Sequence, residues 1–163
     1  MSRTSSLAVL LASLVLSMTG CAGSPPKQVA VSAVSAVEDP ASAALRAWDE
    51  RRAAAYAAGA VGDLRRLYVR GSAAGAADVR LLEEYVERGL VIVGMRMQVL
   101  ALDVLRSAPG LLRLRVTDRL VGAEARGPTG VLPLPRDEAS TRVVTLRLVA
   151  GSWRVDSVRA QTG

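Results

Sequence analysis

The chain has 163 residues, half of them apolar, with 21 basic and 15 acidic side chains and a formal charge of +6. That length suits one domain with a core of its own. There is no histidine, which removes the commonest general base, metal ligand and physiological pH switch. The single cysteine excludes an intramolecular disulfide framework and a cysteine-rich metal site, and no cofactor is expected. All but one of the 21 basic residues are arginine, the exception being Lys27, and they are spread along the chain among acids. Such a distribution argues against a nucleic-acid partner and fits attraction to an anionic envelope surface.

Residues 1–20 read as a targeting segment. Arg3 precedes an uncharged apolar run, Leu7 to Leu16, which is too short to span a bilayer comfortably and has the size of a secretory h-region. Met18-Thr19-Gly20-Cys21 follows. This stretch resembles the lipobox of bacterial lipoproteins, with small residues at Thr19 and Gly20, while Met18 stands where Leu, Val or Ile is usual. The resemblance implies cleavage before Cys21, acylation of its thiol, and a membrane-held protein on the extracytoplasmic face. A lone cysteine directly after an h-region agrees, because an exported free thiol is a liability. Residues 21–38 are small and polar, contain Pro25-Pro26, and read as a flexible tether.

The folded domain is expected over 39–163. Asp39-Pro40 is a helix start, with Asp39 as N-cap and Pro40 in the first position, where its missing N–H costs nothing. Leu45, Trp48, Arg52, Ala55 and Tyr56 then recur at helical steps, and Gly59 is placed as a stop. Gly62-Asp63 opens a short helix through Leu64, Leu67 and Tyr68. A third follows Ser72, with Asp78 in its early turns and Leu81, Leu82, Tyr85 and Val86 as its stripe, and ends at Gly89. From 90 to 105 the period becomes that of a strand. Its apolar phase runs through Val93, Met95, Met97 and Val99, then flips to Leu100, Leu102 and Val104, which predicts a β-bulge near 99–100. Pro109-Gly110 turns the chain into a strand alternating Leu112, Leu114, Val116 and Leu120 with arginines. A loop from Arg126 to Glu138 leads to the strand of Val144, Leu146 and Leu148, and Gly151-Ser152 turns into a last strand.

Three N-terminal helices followed by about four antiparallel strands predict an α+β fold, with the helices packed on one face of a curved, bulged sheet. The order resembles the cone of nuclear transport factor two-like and polyketide cyclase-like domains. The carrying stretches are the long first helix with Trp48 and Tyr56, Gly62-Asp63-Leu64, Leu67-Tyr68, Tyr85 to Gly89, the bulged strands, and Gly151 to Val155. The resemblance implies a pocket between sheet and long helix. The family's enzymes commonly pair an aspartate there with a histidine or tyrosine, and this chain has no histidine to supply.

Trp48, Tyr56, Tyr85 and Asp118 are the pocket candidates. Asp118 stands out because it shares the apolar phase of Leu114, Val116 and Leu120, where a carboxylate needs either a partner such as Arg142 or Arg96, or a chemical role. Arg113, Arg115 and Arg119 form a row on the polar face of one strand, joined by Arg147 from another. They make either a solvated face or a patch for anionic headgroups, and such a row disfavours self-association and points to a monomer. Val131, Leu132 and Leu134 make the 126–138 loop unusually apolar, which is expected if they cover the open end of the cone, or else contact a partner.

The expected function is that of a lipid-anchored, exported, non-catalytic binding or accessory domain, with an envelope protein or a small apolar ligand as partner. The alternative is a small-substrate enzyme of the polyketide cyclase-like type that uses a pocket carboxylate.

Overall fold

The computed structural model describes residues 39–161. Cys21, the targeting segment and the tether lie outside these described residues. Helix α1 (Pro40–Ala58) begins where the caps place it. Asp39 Oδ2 accepts the Ser42 N–H at 3.1 Å, and Gly59 closes the helix at φ 62°. Helix α2 (Val61–Arg66) starts one residue before the Gly62-Asp63 step. Helix α3 (Ala73–Glu87) is capped by Ser72, whose Oγ accepts the Gly75 N–H at 3.2 Å. Among the described residues no helix is long and apolar enough to cross a membrane.

The strands are β1 (Val91–Ala108), β2 (Leu111–Gly127), β3 (Gly130–Pro133), β4 (Ser140–Val149) and β5 (Ser152–Ala160). They form one antiparallel sheet in the order β1-β2-β4-β5, with β3 paired to the end of β2. The sheet therefore has five strands rather than about four. The additional one arises because β2 continues to Gly127 and returns through a tight hairpin, where the alternation alone suggested an open loop. The β1–β2 register slips between Val99 and Ala101, the position of the expected phase flip, and again near Gly94 and near Leu105. Each slip bends the long strand, which curves the sheet.

The core lies between the three helices and one face of the sheet. Leu64 and Leu82 from the helices meet Leu114, Val116, Leu146 and Val155 from the strands, all fully buried. Each such side chain contributes roughly 1.5–3 kcal/mol on leaving water. The segment joining α2 to α3 is stitched to β5, with Val155 N–H donating to Leu67 O and Val69 N–H to Val155 O, both at 2.9 Å. This pairing fixes Tyr68 over the helical side of the sheet.

The apolar hairpin does not form the expected cover as a whole. Leu134 turns inward against the core, but Val131 and Leu132 stay 59% and 65% exposed, because β3 pairs along the rim of β2 rather than folding across the opening.

Candidate functional site

A cavity of about 520 Å³ lies between α1, α3 and the inner sheet face. Leu45, Ile92, Met95, Met97, Val116 and Val144 supply apolar wall, and all four pocket candidates, Trp48, Tyr56, Tyr85 and Asp118, line it. Six charged residues also reach it: Asp49, Arg52, Asp78, Asp118, Asp137 and Arg142.

Asp78 is the most heavily bonded of these. Arg52 Nε donates to Asp78 Oδ2 at 2.8 Å, and Arg52 Nη2 forms an ion pair with Oδ1. Tyr68 Oη donates to Oδ2 at 2.7 Å and Tyr56 Oη to Oδ1 at 2.8 Å. Burial by itself would raise the Asp78 pKa, but the Arg52 hydrogen bonds and charge and the two hydroxyls outweigh it and hold the carboxyl below its ordinary value. The phenols move the other way. Burial, and then the adjacent Asp78 charge, push both Tyr56 and Tyr68 above the ordinary tyrosine value. Arg52 also lies over the Tyr56 ring, 4.9 Å from its centroid. Trp48 fixes the far side, its Nε1 donating to Leu67 O at 3.0 Å and its ring meeting Tyr68 edge-on at 5.5 Å.

Asp118 is 2% exposed and forms an ion pair with Arg142, one of the two arginines that the alternation made available. The pair sits on adjacent strands, β2 and β4, with Val116 directly opposite Arg142 in the register. Asp118 thus belongs to the cavity wall with its charge already balanced.

Asp49 differs from both. It is half-buried on α1, one residue after Trp48, and its carboxylate accepts no hydrogen bond and forms no ion pair with any described residue. Burial raises its pKa to about 6, against the opposing pull of Arg52 and Arg142, with Asp118 adding to the rise. Sequence reading missed Asp49 and gave Asp78 no role. A signal for Asp78 was present: Arg52 occupies the apolar stripe of α1, and a buried guanidinium requires a buried acid. Asp49 carried no comparable signal, since it is an ordinary helical aspartate until the sheet closes over it.

The basic row lies on the opposite face of the sheet. Arg113, Arg115, Arg119 and Arg147 are all exposed. Arg115 contacts Asp103 at 3.6 Å and Gln161 at 3.0 Å, Arg119 donates to Gln98 at 2.9 Å, and Arg147 pairs with Asp156 at 3.2 Å. Acids and amides therefore interrupt the row. No group of His, Cys, Asp and Glu among the described residues has the arrangement to hold a metal ion.

No family model matches the chain, and no curated protein matches it. Solved structures do resemble it. The structure of Aln2 from a Streptomyces species is 16% identical with a TM-score of 0.49, covering 75% of this chain and 92% of that one. The intermembrane-space region of the chloroplast protein ARC6 is 16% identical with a TM-score of 0.48, covering 74% and 95% respectively. A structure described as a putative aromatic ring hydroxylase from Novosphingobium aromaticivorans is 7% identical with a TM-score of 0.47, covering 74% and 89%. Likenesses at this level say nothing of what this chain does.

Proposed function

We propose that the chain is an exported, lipid-anchored domain of the cell envelope that binds a small, mainly apolar ligand without chemical change. The cavity carries this reading. Its volume of about 520 Å³ lies in the usual range for small-ligand sites, roughly 300–1,000 Å³. Its walls are largely apolar, and two of its carboxylates are tied to arginines, which suits fixed orientation better than proton traffic. Helices over an open antiparallel sheet, with the cavity between them, support a cone of the nuclear transport factor two-like kind. Arg3, the Leu7–Leu16 run and Thr19-Gly20-Cys21 support the anchor, and Arg113 and its neighbours offer a cationic face to anionic headgroups.

The test uses n-octanol as a neutral probe with the methionine methyls as reporters. Met95 and Met97 both line the cavity. Octanol is expected to shift these two resonances saturably, and Ala77→Trp, at the cavity edge, to weaken the effect. No shift of these resonances with octanol or with its amine and carboxylate counterparts, up to the solubility limit of each, would sink the reading. For the anchor, Cys21→Ser should move the protein from the membrane fraction to the soluble one.

One observation favours a second reading. Asp49, with its pKa near 6, is suited to act as a general base at neutral pH. An enzyme of this kind would accelerate deuterium exchange into cavity-bound 2-octanone, and Asp49→Asn would abolish the acceleration. Equal exchange with and without the protein would leave binding alone.

A further inference from the structure

The charge inside the cavity opposes the charge of the chain. Four carboxylates and two guanidiniums line the space, an excess of two negative charges in a chain whose formal charge is +6. The two guanidiniums are both committed, Arg52 to Asp78 and Arg142 to Asp118. Asp49 and Asp137 remain, and neither side chain has a hydrogen bond or ion pair among the described residues. Asp49 is the deeper of the two: it is half-buried, whereas Asp137 is exposed in the segment between β3 and β4.

An anionic ligand would find no free guanidinium in this wall. A neutral ligand without a donor would leave the half-buried Asp49 carboxylate short of hydrogen bonds, and a hydroxyl would supply a donor but no charge. An ammonium group supplies both the missing donors and the missing charge. Tyr85 and Trp48 add aromatic surface to the same lining. The positive charge elsewhere on the surface is screened over a Debye length of about 8 Å at physiological salt, so it does not bar a cation from the interior.

We propose that the cavity selects a protonated aliphatic amine, its apolar chain against Leu45, Ile92, Met97 and Val116 and its ammonium group hydrogen-bonded to Asp49. This rests on the small-ligand reading above and adds the chemical class of the ligand. Asp49 is faced by Arg52 on its own helix, by Asp118 from β2 and by Arg142 from β4. Arg46, Glu50 and Arg96 stand along the adjoining groove that it also borders. In that setting the carboxylate takes up a proton near pH 6, so amine binding weakens as the pH falls through that value while binding of a neutral probe does not.

The experiment compares n-octylamine, n-octanol and n-octanoate, which share one chain length and differ in head group, by calorimetry on the purified full chain. At neutral pH octylamine is expected to bind at least about 10-fold more tightly than octanol, and octanoate more weakly than either. Asp49→Asn should abolish the preference of the cavity for octylamine over octanol, with an unaltered circular dichroism spectrum showing that the variant folds. Asp137→Asn should have a smaller effect. Equal binding of all three probes, tighter octanoate, or an amine preference that survives Asp49→Asn overturns the amine assignment while leaving the small-ligand reading intact. Failure of all three to bind overturns both.

Discussion

Tyr68 occupies the space that a side chain at residue 75 would need. A Cβ built on Gly75 would lie 2.5 Å from Tyr68 Cγ and 2.6 Å from its Cβ. Gly75 sits in the first turn of α3, so this close approach lets the Tyr68 ring reach across to Asp78 on the same helix and meet Trp48 on α1. A missing side chain in one helix thereby sets the geometry of a polar cluster between two.

Gly75→Ala must therefore displace Tyr68 even though alanine is the better helix former. The expected cost is about 1–3 kcal/mol, the range for overpacking a filled site. Urea unfolding checks this: the midpoint should fall with little change in slope, and the near-ultraviolet signal of Trp48 and Tyr68 should change. A variant as stable as the parent would contradict the steric assignment.

Arg52→Met should be among the most damaging single substitutions, at about 3–5 kcal/mol, because it strands the Asp78 charge beside two hydroxyls. Arg52→Met with Asp78→Leu should cost less than the two single changes added together, by about 0.5–3 kcal/mol. The same pair predicts acid sensitivity. The folded pKa of Asp78 is lowered, so its stabilisation is present above the unfolded carboxylate value and is lost as pH falls through the folded one. Strict additivity in the double-mutant cycle would show that the two groups do not act together.

The Asp118–Arg142 pair and the outer arginines make a controlled comparison. Asp118 is buried, so Arg142→Ala leaves an uncompensated charge inside the wall and should cost about 3 kcal/mol. Arg113 is exposed and its guanidinium has no hydrogen bond or ion pair with a described residue, so Arg113→Ala should change stability by no more than about 0.5 kcal/mol. Thermal unfolding of the two variants at neutral pH is sufficient, and similar losses would refute the contrast.

Asp49 should behave in the opposite sense to Asp78. Its folded pKa of about 6 lies above the ordinary value of 3.8, so between these values the folded state binds more protons and stability rises as pH falls. Above pH 6 the half-buried charge is a standing cost. Asp49→Asn should accordingly stabilise the protein at neutral pH by about 0.5–2 kcal/mol, with the advantage fading toward pH 4. Melting curves across this range give the test, and destabilisation at neutral pH would show that the carboxylate is held by contacts that favour its charge.

Local chemistry was enough to write much of the fold. Asp39-Pro40, Gly59 and Ser72 mark helix ends because capping depends on residues close together in sequence. The bulge between Val99 and Ala101 shows in the sequence because a strand has a period of two, so one extra residue reverses the apolar phase. The same alternation singled out Asp118 and offered Arg142 as one possible partner. Strand β3 escaped notice because its four residues, exposed and ending in proline, carry no alternation to read.

The composition and the N-terminal pattern also stand in the sequence alone: the absent histidine, the arginine-borne charge and the Thr19-Gly20-Cys21 stretch. Tertiary packing decided the cavity and its electrostatics. Arg52 and Asp78 are 26 residues apart, and only the tertiary fold, which brings side chains of α1 and α3 together, makes them a pair. Asp49 becomes distinctive only when the sheet desolvates it and the neighbouring arginines are taken by other acids. Desolvation and partner choice depend on which surfaces come together in three dimensions, and no local period in the chain encodes that.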